Sequence, residues 1–70
     1  MRNIVEVIFK EYDVVQATTD LSDMVLKDCK GTILMVYPDF PFSYEVEFVD
    51  KNHDTLEILT VKGYNLTYFS

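Results

Sequence analysis

The stretch "GTILMVYPDFPFSYEVEFVD", Gly31 to Asp50, decides the fold. Pro38 and Pro41 stand close together in it, and proline fits neither a helix interior nor a central strand. "YPDFPFS" is therefore a loop. On both sides of it the pattern has period two. Thr32, Leu34 and Val36 share one face, with Ile33, Met35 and Tyr37 on the other; Tyr44, Val46 and Phe48 oppose Glu45, Glu47 and Val49. Such alternation marks a half-buried strand, and the β-branched and aromatic content suits one. The pair reads as an antiparallel hairpin. Leu34 and Val36 are expected to point inward, which turns Ile33, Met35 and Tyr37 to the side of the two glutamates.

Outward from the hairpin, "DKNHD", Asp50 to Asp54, is a polar turn, and "TLEILTV" is a third strand whose imperfect alternation leaves its facing open. Gly63 breaks that strand, and Leu66 to Phe69 forms a short closing strand. Upstream, Val14 to Thr18 is another strand, followed by the polar excursion "TDLSDMVLKDCKG". Ile4 to Phe9 fits either a helical face or an alternating strand, with strand the better match. The expectation is one all-β domain over residues 1–70, a small SH3-like barrel or roll of about five short antiparallel strands. Its long loop lies between the first and second core strands, and a short turn precedes the last. Closing a sheet on itself also protects strand edges, which benefits a chain rich in β-formers.

The series "DVVQATTDL…LKDCKGTILMVYPD…YEVEFVD…TLEILTV" resembles a family of small bacterial domains without an assigned function. Those domains run, in outline, "DVV", "DL", "LK", "GT", "VYPDG", "YEVEFVD" and "TL". The resemblance covers residues 12 to 61, and "YEVEFVD" after "VYPD" is its most specific part. It implies an SH3-like barrel. Some members stand beside toxin domains, which implies a neutralising role. This chain departs from the pattern at Asp28 and Cys29, where "LKDCKGT" is shorter than usual. Phe40, Pro41 and Phe42 replace a glycine-tight turn, and Met35 replaces a common acid. The departures fall in loops and on outward faces, where partners bind.

Composition narrows the chemistry. In 70 residues, a hydrophobic fraction of 49% is ample for a core, and five Tyr and five Phe supply large anchors. Twelve acids against six bases give a net charge of −6. A field of that sign repels phosphate backbones and anionic lipid surfaces and attracts cationic proteins. Arg2, Lys10, Lys27, Lys30, Lys51 and Lys62 are scattered, without the basic and aromatic interleaving of a nucleic-acid site. No run is apolar enough for a membrane span and no export signal is visible, so the single Cys29 points to a reducing cytoplasm.

One His and one Cys, with serines at 22, 43 and 70, form no nucleophile, base and orienter series, so no enzyme is expected. His53 reads as a solvated turn residue. Cys29 has Lys30 beside it to lower its pKa and Asp28 to oppose that. Asp50, Asn52 and Asp54 imitate the opening of a calcium loop, but Thr55 and Val61 occupy the places of the required Gly and Glu. No metal and no cofactor are expected. Asn65-Leu66-Thr67 matches a glycosylation sequon that a cytoplasmic protein would not use.

What remains is the acidic, partly apolar face. It is either a solvated sheet surface or a docking patch. As a patch, Met35 and Tyr37 anchor the contact while Asp39, Glu45 and Glu47 meet Lys or Arg of the partner. Phe40 rims the loop, and of Phe40 and Phe42 one plugs the barrel end. The expected partner is a protein, a cationic toxin domain in the first reading. The other readings are an adaptor or homodimeric module, and an acidic mimic of nucleic acid. No nucleic acid and no membrane is expected as a partner.

Overall fold

A computed structural model describes residues 7–39 and 41–70. Five strands form one antiparallel sheet: β1 (Val14–Ala17), β2 (Lys30–Tyr37), β3 (Ser43–Val49), β4 (Thr55–Lys62) and β5 (Leu66–Tyr68). Their order across the sheet is β4-β3-β2-β1-β5. The sheet is open, with β4 and β5 at its two edges. A 3-10 turn, Gly63–Asn65, precedes β5. The long loop between β1 and β2 and the short turn before the last strand stand where the sequence places them.

The core lies on one face. Val15 and Ala17 of β1, Ile33 of β2, Tyr44, Val46 and Phe48 of β3, Val61 of β4 and Leu66 of β5 are buried. β3 keeps strict alternation because its inward residues fill the centre of the sheet between two paired neighbours. Phe9 closes the top of this core. Its ring makes edge-to-face contacts with Tyr44, 5.4 Å between centroids, and Tyr68, 4.9 Å. Its backbone N–H donates to the Tyr44 hydroxyl at 3.1 Å, which satisfies the polar end of a buried tyrosine.

β2 departs from alternation. Ile33 pairs with Val46 but Met35 pairs with Glu45, so Leu34 is an extra residue, a β-bulge. A bulge shifts the pleat by one and reverses the facing of everything beyond it. Ile33, expected on the outward face, is therefore wholly buried, and Leu34, expected inward, is half-buried without packing against the core. Val36 does pack against the core, as expected. A second shift separates Phe48–Glu57 from Val49–Thr55 and makes Leu56 the extra residue of β4. That shift explains the imperfect alternation there. It turns Glu57, Leu59 and Val61 inward and leaves Ile58, Thr60 and Lys62 outward.

The polar excursion after β1 is tied down. The Leu21 and Ser22 N–H groups donate to the Val25 carbonyl at 2.8 and 3.2 Å, and Val25 is buried in the core. The Ser22 hydroxyl accepts from the Val25 N–H at 3.0 Å and donates to Glu57 Oε1 at 2.6 Å, giving the inward carboxylate a partner. The Asp50–Asp54 turn is built by the Asp50 carboxylate. Its Oδ1 accepts from the N–H of Asn52 at 2.8 Å and of Asp54 at 3.0 Å, and His53 takes a left-handed φ of 68°. That oxygen is committed to the turn itself.

The closing strand ends at Tyr68, one residue before the expected end, and β1 ends at Ala17 rather than Thr18. Of the segment expected as a strand over Ile4 to Phe9, Val7 to Phe9 carry no regular structure, and residues 4–6 lie outside the described residues.

Candidate docking face

On both sides of the bulge, the outward surface of β2, β3 and β4 is one continuous face. Met35 stands directly across from Glu45, which stands across from Thr60; Thr32, Glu47 and Ile58 form the next row. Tyr37, Ser43 and Lys62 make a third row at the loop end. The two carboxylates, alternate residues of one strand, sit about 7 Å apart along it. Met35 is 50% exposed and Tyr37 38%, as expected of anchors; Ile58 is 50% exposed on the far side of the glutamates. Val14 of β1, paired with Thr32, extends the apolar rim.

The glutamates are held. Glu45 Oε1 accepts from the Thr60 hydroxyl at 2.7 Å, and Glu47 Oε2 accepts from the Thr55 hydroxyl. Both remain only half-buried, so each keeps lone pairs open to solvent. A carboxylate fixed by a neighbouring hydroxyl loses less rotamer freedom when it later meets a cation. Apolar anchors on either side of two positioned anions suit contact with a surface that is itself cationic and partly apolar.

Of the six residues expected to bind a partner, Met35, Tyr37, Glu45 and Glu47 share this face. Asp39 is exposed in the loop at its end. Phe40 lies outside the described residues, while Phe42 packs against the core beside Tyr44, with ring centroids 6.4 Å apart. Sequence reading missed Ile58 and the two threonines. The bulge at Leu56 hid the facing of β4, and a Thr opposite a Glu (Thr60) or diagonal to one (Thr55) on an adjacent strand becomes visible only once the register is known.

The other candidate chemical groups are quiet. Burial pushes the Cys29 thiol above its ordinary pKa, and the nearby Asp50 carboxylate pushes it further in the same direction. Its Sγ donates weakly to the Val49 carbonyl at 3.5 Å. The thiol is thus protonated at neutral pH and a poor nucleophile.

A five-stranded, all-antiparallel β domain with one packed face and one acidic, apolar-rimmed face is the class that fold and site define. The family described as a domain of unknown function (DUF4926) matches residues 11–68, and the chain belongs to it. No curated protein and no solved structure matches the chain. Among the described residues no helix is long and apolar enough to cross a membrane.

Proposed function

We propose that the outward face of β2–β4 docks a cationic protein, and that the domain acts as an immunity-type inhibitor covering a basic, nuclease-like toxin surface. The observation that carries this reading is the row Met35–Glu45–Thr60 beside Thr32–Glu47–Ile58, in which exposed apolar side chains flank carboxylates already fixed by hydroxyls. The mechanism is occlusion and charge complementarity, in an SH3-like domain working in a reducing cytoplasm, with no bond made or broken. Rim charges of this kind act chiefly on the encounter rate.

A homodimer through the same face is the weaker reading, because a two-fold contact would set Glu45 and Glu47 against their own copies. Among the described residues of β2–β4, Lys62 at one end of the face and Lys30 at the other supply the opposite charges, both away from its centre. Light scattering separates the two readings, since a stable dimer held by this face would exclude the inhibitor role.

The test is retention of a basic protein from the source cells on immobilised wild-type domain, followed by association kinetics with the retained species. Glu45→Lys with Glu47→Lys should keep the fold and slow association by about tenfold or more at low salt, the difference shrinking as salt rises. Unchanged association by the double variant would refute the assignment.

A further inference from the structure

A groove of about 810 Å³ lies between the end of the β1–β2 loop and the β3–β4 turn, and its Lys30–Val49 pair is the next outward row of the sheet after Thr32–Glu47. Met24, Leu26, Val49, Leu56 and Phe69 give it apolar walls. Lys27, Lys30 and Lys51 line it too, half of the six basic residues in a chain of net charge −6. Among the described residues none of the three is in an ion pair; Lys30 Nζ sits 5.0 Å over the Phe69 ring.

The two aspartates in the lining have internal donors. Asp28 Oδ1 accepts from the Gln16 amide at 3.2 Å, and Asp50 Oδ1 takes the turn N–H groups already described. The lysines have no such internal carboxylate. The lining therefore holds three ammonium groups against two carboxylates, a small positive excess on a chain of net charge −6. The volume falls within the range of about 300–1,000 Å³ typical of small-ligand sites.

We infer that this groove binds a small amphiphilic carboxylate, its apolar chain lying along Met24, Leu26, Val49 and Leu56 and its carboxylate reaching Lys27, Lys30 and Lys51. The site adjoins the outward face at its turn end, but neither Glu45 nor Glu47 lines it.

Decanoate is the probe, titrated below its micelle-forming concentration into the ¹⁵N-labelled chain. Amide shifts should saturate and centre on Leu26 to Lys30, Val49 to Asn52 and Phe69, leaving Met35 and Glu45 unmoved. Octanoate should bind about 15-fold more weakly, from about 0.8 kcal/mol for each of the two methylenes removed. Lys27→Gln with Lys51→Gln, both exposed positions, should weaken decanoate about five- to tenfold while keeping the wild-type spectrum elsewhere. Equal shifts from decyltrimethylammonium would overturn the inference, as would shifts centred on Met35, Tyr37 and Glu45 or none at all. Glu45→Lys with Glu47→Lys should leave the decanoate contacts in place, so failure of this titration and failure of the docking reading are separate results.

Discussion

β2 and β3 are neighbours with similar apolar content, yet they obey the pleat differently. β3 alternates without a break, sending Tyr44, Val46 and Phe48 to the core and Glu45 and Glu47 outward. β2 carries an extra residue, so Ile33 and Met35, two positions apart, occupy opposite faces. The difference teaches that a strand's outward side is fixed by its partner's register, not by counting along its own sequence. Here that register also shapes the outward face, because the bulge buries Ile33 and exposes Met35.

The comparison breaks most visibly at its two apolar ends. Ile33→Asp places an unpaired charge among fully buried side chains and should unfold the domain, whereas Met35→Asp should fold with Tm close to wild type; circular dichroism melts of both check it. Equal melting points would mean that Ile33 and Met35 share a face. A smaller loss is expected at Gly31, where an added Cβ would lie 2.7 Å from Val46 Cγ1 and 2.9 Å from Phe48 Cδ1. Gly31→Ala should cost about 1–3 kcal/mol in urea unfolding, the range for overpacking a tight core. Deleting Leu34 is the sharpest probe of the bulge. It leaves Ile33, Val36 inward and Met35, Tyr37 outward in a regular ladder, so the shortened chain should fold with a loss of about 1 kcal/mol.

Two lesser effects belong to the turn beside β3. His53→Gly relieves a left-handed conformation and should stabilise by up to about 1 kcal/mol. Asp50→Asn removes the charge that raises the Cys29 pKa and should quicken iodoacetamide labelling of the folded chain at pH 8. The linkage has a definite sign. A thiol whose folded pKa is raised contributes stability that is present below its unfolded pKa and lost as pH rises through the folded one.

The hairpin, the five strands and the polar turn were legible because Pro38, Pro41 and the alternation of β3 are local signals. The outward placement of Met35, Tyr37, Glu45 and Glu47 was legible for the same reason, although Ile33 was placed with them. Neither bulge was legible. Leu34 and Leu56 are ordinary strand residues, and their unpaired state follows only from which residue faces which across the ladder. Ile58, Thr55 and Thr60 were lost with that register. The groove joins Met24 to Phe69, residues far apart in sequence, a proximity no local pattern carries.

The most direct measurement is a map of amide shifts on the ¹⁵N-labelled domain as the retained basic protein is added. The largest changes should fall on Met35, Tyr37, Glu45, Glu47 and Ile58, with the groove residues Lys27 and Lys51 unmoved. Changes gathered in the groove, or along β5, would contradict a docking face on β2–β4.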